Sequence, residues 1–152
     1  MGTPFKEVYT AFLARIEQDE WVFGTDLDYL ENDWFEIMKI AISRFMFPRV
    51  SLEFDEENSC FIEELGNEEI QFLAVFMKNE WLKRTLASWR VVQQQYHTSD
   101  FKFTSQANHM DKLVNVVELS NKECLNMTNV YSRMRNYEPF DWSQLAGGKH
   151  GK

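Results

Sequence analysis

A chain of 152 residues with 44% hydrophobic and 15% aromatic side chains can bury one sizeable core, and it reads as a single domain. It holds no run of about 18 apolar residues, and its first residues lack the basic start and apolar stretch of a signal peptide. The expectation is therefore a cytosolic protein, or one assembled from cytosolic subunits, without membrane contact. Its formal net charge is −8, and its bases do not cluster, which argues against nucleic-acid recognition.

Thr3-Pro4 reads as a capping residue followed by proline at the first helical position, where a missing N–H costs nothing. Phe5, Val8, Tyr9, Phe12, Leu13 and Ile16 then mark one face, predicting a short amphipathic helix over residues 4–17. Between Glu17 and Glu36 stand eight acids and no base. Asp26, Asp28 and Asp33 depart from the calcium-loop order, because no glycine occupies the sixth loop position and Tyr29 and Leu30 interrupt it, so no metal is expected. A second helix carries the stripe Leu30, Trp34, Ile37, Met38, Ala41, Ile42 and Phe45, and Pro48 ends it.

Residues 50–54 alternate strictly, residues 55–58 turn, and residues 59–63 return. That predicts a small β-hairpin, which is marginal alone and must rest on the helices or pair with a neighbour.

The chain is organised around residues 67–134, two long helical patterns joined by a short polar connection over residues 94–104. In the first, Ile70, Leu73, Ala74, Met77, Trp81, Leu82 and Leu86, with Trp89 one turn on, draw one stripe. Asn67 is expected to cap it, with Glu68 and Glu69 at the positive end of the helix dipole. In the second, Met110, Leu113, Val117, Ser120, Cys124, Met127, Tyr131 and Met134 follow a 3-4-3-4 rhythm. That seam is either the longest helix of a bundle or packs partly on another subunit.

From Asn136 the character changes: proline, glycine and isolated large aromatics cannot continue a helix or build a core. Phe140, Trp142 and Leu145 are expected to anchor this tail on a neighbouring component. The fold expected is thus mainly α: a bundle of four helices with a long helical hairpin over residues 1–136, an inserted β-hairpin at about residues 50–63, and an extended docking tail over residues 137–152.

Cys60 and Cys124 lie far apart without a CxxC or neighbouring histidine, which predicts reduced thiols rather than a disulfide or zinc site. His97, His109 and His150 occur in unrelated contexts, and no phosphate-cradling glycine loop, GxSxG or HExxH is present. No catalytic residue, cofactor or metal is expected.

The charge is uneven. Residues 1–69 carry 5 Lys+Arg against 17 Asp+Glu, or −12, and residues 70–152 carry 11 against 7, or +4, which together give −8. Such runs are either solvated faces or complementary faces of identical subunits. On the second reading, acids such as Glu31, Asp33, Glu56 and Glu57 face Lys78, Lys83, Arg84, Arg90, Arg133 or Arg135 of a neighbouring copy.

The segments Thr3-Pro4-Phe5-Lys6-Glu7-Val8-Tyr9, Phe47-Pro48-Arg49, Lys78-Asn79-Glu80-Trp81-Leu82 and Asp100-Phe101-Lys102-Phe103-Thr104-Ser105-Gln106-Ala107-Asn108-His109, with the Trp142 tail, resemble small neck proteins of tailed bacteriophages. The resemblance spans nearly the whole chain and rests on compositional signatures rather than catalytic fingerprints. It implies a head-to-tail connector, or adaptor: a virion protein assembled in the bacterial cytoplasm into a ring, commonly twelvefold, between portal and tail, through which DNA passes without specific binding. It also implies a C-terminal segment that reaches the portal. A stopper or other neck ring belongs to the same resemblance. The residues alone also fit an acidic regulatory or inhibitory binding protein.

Overall fold

The computed structural model describes residues 2–16, 27–95 and 103–135. Among them lie α1 (Phe5–Leu13), α2 (Leu27–Arg44), β1 (Phe54–Asp55), β2 (Cys60–Phe61), α3 (Asn67–Gln95) and α4 (Phe103–Arg135). The protein is mainly helical, with one small antiparallel sheet, as the periodicities predict. The tail residues Phe140, Trp142 and Leu145 lie outside the described residues.

Helix α3 is the shared element, because α1, α2 and α4 each pack against it. Its sequence shows why: Phe72, Leu73, Ala74, Val75, Phe76 and Met77 form an unbroken apolar run, and all six are buried. A helix apolar on every side belongs inside, not on an amphipathic surface. The single stripe expected from the sequence therefore understated it, missing Phe72, Val75 and Phe76. Helix α2 contributes Leu30, Trp34, Ile37, Met38 and Ala41 from its expected stripe, together with Phe35.

The start of the chain corrects an expectation. Helix α1 begins at Phe5, and Pro4 (φ −64, ψ 142) precedes it without a side-chain cap. The Thr3 hydroxyl instead accepts the Leu65 backbone N–H at 2.7 Å. The backbone around it pairs with the hairpin: Phe61 N–H donates to the Thr3 carbonyl at 2.8 Å, and Phe5 N–H to the Ser59 carbonyl at 3.0 Å. Residues ahead of α1 thus act as a third strand on β2, with an antiparallel bridge between Pro4 and Cys60. Local pattern favoured a cap, and tertiary pairing won because the free edge of a two-stranded sheet has unpaired donors and acceptors. Gly2 fits there because a Cβ would collide with the Phe61 carbonyl.

The hairpin is shorter than its alternation suggested, with Phe54 opposite Phe61 and Asp55 opposite Cys60. Asp55 closes the turn by accepting the Glu57 and Asn58 backbone N–H groups and the Asn58 amide. Those bonds, the Asn58 amide first, lower its pKa. The Gly66 carbonyl accepts the Ile70 N–H at 3.1 Å, so Gly66, rather than Asn67, occupies the cap position of α3.

The seam of α4 is filled from within the chain. Val117, Ser120, Cys124 and Tyr131 are buried, and Met110, Leu113 and Met127 pack partly buried beside them. Of the two readings of this seam, the structure shows α4 packing on α3 within the chain. Trp89 is exposed and meets only the His109 ring, at 5.1 Å, among the ring contacts of the described residues. Cys60 and Cys124 are free, and burial, aided by Glu123, pushes the Cys124 thiol up and keeps it protonated.

Candidate functional site

Two polar clusters hold the long helices in register. Asn79 is 1% exposed, and its amide donates to Ser120 Oγ at 3.1 Å and to Asn121 Oδ1 at 2.9 Å. Its own carbonyl oxygen accepts from Arg44 at 3.3 Å, and Arg44 also bonds Glu80 at 2.8 Å. The polar interruption at Ser120 is thus a satisfied pin: sliding α4 along α3 would strand a buried amide.

Near the other end, the Tyr131 hydroxyl donates to Glu69 Oε1 at 2.8 Å and accepts the Arg49 backbone N–H at 2.9 Å. The Arg49 guanidinium lies 4.4 Å from the Tyr131 ring centroid and bonds Glu68 at 2.6 Å. Burial, then the bond to Glu69, pushes the Tyr131 phenol up to about 12. Every member of this cluster has a partner, so both sites hold structure rather than poised chemistry.

A third arrangement is open. A cleft of about 350 Å³ is walled by Lys6 of α1, Glu31 and Asn32 of α2, and Glu56, Asn58 and Ser59 of the hairpin turn. Phe5, Tyr9 and Phe35, all buried, form its apolar floor. Burial first, and Glu31 second, raise the Tyr9 phenol above its ordinary value, so it stays neutral. Two residues from separate stretches of the acidic half, Glu31 and Glu56, thus meet here, where chain distance alone gave no sign of it.

The remaining interface candidates are scattered. Asp33 and Arg84, expected to face each other across a subunit boundary, pair within one chain at 3.0 Å. Lys78 likewise bonds Glu123 at 2.7 Å. These two intrachain pairs follow from α3 lying between α2 and α4, which brings acid and base together intramolecularly. Glu31, Glu56, Glu57, Arg90 and Arg133 are exposed, Lys83 is half-buried, and none of them carries an ion pair among the described residues. Arg135 ends α4.

Sequence reasoning took Tyr9 as a core residue, Asn58 as part of the turn and Ser59 as the start of the returning strand, and did not single out Asn32. The signal for Asn58 existed, since an Asp-x-x-Asn turn at Asp55 orients it. None existed for Tyr9, whose hydroxyl is placed by packing. Among the described residues, no group of three or more His, Cys, Asp and Glu side chains is placed to hold a metal ion, and no helix is long and apolar enough to cross a membrane. Scans against family models, curated proteins and solved structures gave no match.

Proposed function

We propose that this chain is a structural component of the tailed-bacteriophage neck, a connector that forms a ring between portal and tail and lets DNA pass. It acts by assembly and uses no catalytic residue. The carrying observation is the charge left uncompensated within the chain. Acids Glu31 and Glu56 converge on one cleft, while Arg90 of α3 and Arg133 of α4 stay exposed and without an intrachain ion pair among the described residues. Opposite charges on different faces suit a heterologous contact, in which one face meets a different face of the next copy and the rotation closes a ring. The resemblance of the sequence to neck proteins supplies the setting, and the tail anchors Phe140, Trp142 and Leu145 supply the proposed attachment to the portal or the next neck component.

The satisfied state of the buried polar clusters supports the same reading, since groups fully engaged with each other are not held ready for proton transfer or nucleophilic attack. An acidic lining of the bore would keep DNA from binding as it slides, because phosphate affinity requires cationic neutralisation. Electron microscopy of the purified protein mixed with portal-bearing capsids tests the proposal. A ring at the portal vertex is expected; particles with bare portals at saturating protein would overturn it.

A further inference from the structure

We propose that the cleft between α1, α2 and the hairpin turn is a socket for an arginine side chain of a second copy of this chain, presented from Arg90 or Arg133. The inference rests on the ring-forming reading above and assigns the site through which one copy grips the next.

Two independent features point to this ligand. The first is the shape and chemistry of the walls. Glu31 and Glu56 stand over a floor of Phe5, Tyr9 and Phe35, and a guanidinium is the group that both pairs with carboxylates and lies flat on aromatic faces. Lys6 on the same wall leaves the charged lining at one net negative charge, enough to favour a single cation and to refuse an anion. The amides of Asn32 and the carbonyl-rich turn at Asn58 and Ser59 add acceptors for the remaining N–H groups. The second feature is Tyr9. It lines the cleft, is only 8% exposed, and its hydroxyl has no hydrogen-bond partner among the described residues. The hydroxyl opens to solvent only through the cleft, and an incoming guanidinium N–H supplies it with a protein partner in place of water. The neutral state enforced by burial and by Glu31 keeps that oxygen a two-way hydrogen-bonding group rather than a charge.

The donor is argued from what the chain itself leaves over. Arg15, Arg44, Arg49 and Arg84 are engaged by Glu123, Glu80, Glu68 and Asp33. Arg90 and Arg133 are exposed and not so engaged among the described residues. Arg90 is on α3 and Arg133 on α4, neither of which contributes a residue to the cleft, so the arginine that fills it comes from a neighbouring copy.

The test compares variants in the portal-capsid assay under conditions where wild type forms its ring, reading the protein concentration at half occupancy. Tyr9→Phe removes only the hydroxyl and is expected to raise that concentration about threefold to tenfold, and Glu31→Gln with Glu56→Gln about tenfold or more. Melting should match wild type, because none of these groups makes an intrachain side-chain bond among the described residues. Arg90→Gln or Arg133→Gln should weaken assembly comparably, and combining the responsible one with Glu31→Gln and Glu56→Gln should add little further loss. Wild-type rings with unaltered half occupancy in the cleft variants, or fully additive losses for both arginines, would overturn the socket while leaving the connector reading in place. Failure of wild type itself to form a ring would overturn that reading first, and the socket's neighbour with it.

Discussion

The two ends of the α3–α4 hairpin are built differently. Around residues 69–77 of α3, the helix is enclosed by α1, α2, the hairpin and the end of α4. Phe72 lies between Phe45 and Phe76 at ring-centroid distances of 3.8 and 4.4 Å, and Phe5 touches Phe35, Phe54 and Phe61. Beyond Trp81 the apolar contacts thin to Leu82, Leu86 and Val117, with Trp81, Met110, Leu113 and Val114 at their margin. One end is a head with a core; the other is a two-helix stem. At about 1.5 Å per residue, the 33 residues of α4 span about 50 Å, longer than such a core requires. A stem held by one seam opens more readily than a head held on all sides, and its exposed Val116 and Leu119 remain available on its flank.

The largest effect should separate these ends. Phe72→Ala empties a fully enclosed site and should cost about 3–5 kcal/mol, whereas Leu86→Ala, in the stem, should cost about 2 kcal/mol, at the low end for its type. Urea denaturation followed by circular dichroism measures both. Equal losses would show that the stem is as integral to the cooperative unit as the head.

Next in size is Tyr131→Phe, which strips the partner from Glu69, itself only 5% exposed. An expected loss of about 1–3 kcal/mol follows from leaving a buried acceptor unsatisfied. The pH dependence is specific. The folded phenol is raised to about 12 from an ordinary value of 10.0, so its contribution is complete below pH 10 and is lost as pH rises towards about 12. Wild-type stability should fall across that window, and the variant should fall less. Tyr9 is also raised, so part of the alkaline loss should survive in Tyr131→Phe and shrink again when Tyr9→Phe is added. An unchanged alkaline slope would contradict the assignment.

A smaller effect tests the edge pairing that replaced the expected cap. Gly2→Ala drives a Cβ into the Phe61 carbonyl, so the leading strand must lift and give up the Thr3 bond to Leu65. About 1–2 kcal/mol is expected, with faster hydrogen exchange at Phe61 and Leu65. Unaltered exchange at those amides would show that the chain start is not held as described.

Much of the fold was legible because it is periodic. Leu73, Met77, Leu82 and Leu86 on α3, and Val117, Cys124 and Tyr131 on α4, announce facing stripes, and the two meet. What the sequence concealed was set by tertiary neighbours. Thr3-Pro4 has the local signature of a cap, and only the arrival of residues 59–65 shows it to be a sheet edge. Phe72, Val75 and Phe76 lie off the expected stripe, yet all three are buried, with Phe72 stacked between Phe45 and Phe76. The cleft was the least legible feature, since Tyr9, Glu31 and Glu56 come from three segments whose approach no spacing encodes. The pairing of Asp33 with Arg84 within the chain was equally hidden, because periodicity does not say which helix lies across from which.

That last pair gives the smallest expected effect and the sharpest question about where head ends and stem begins. Arg84 is two residues past Leu82, already among the thin contacts, and it reaches back to Asp33 on α2 at 3.0 Å, both side chains 40% exposed. An ion pair so open to solvent gains little Coulomb energy and gives part of it back in side-chain order, so the coupling should be about 0.2–1 kcal/mol and fall as salt rises. A double-mutant cycle with Asp33→Asn and Arg84→Gln measures it without counting other contacts of either residue. Because the pair joins α2 to α3 beyond the enclosed run, its loss should act locally, speeding amide exchange from about residue 82 onward while leaving residues 72–77 protected. A coupling above about 2 kcal/mol, or faster exchange that includes the enclosed run, would mean that α2 braces the stem and that the head extends further along α3 than its aromatic core.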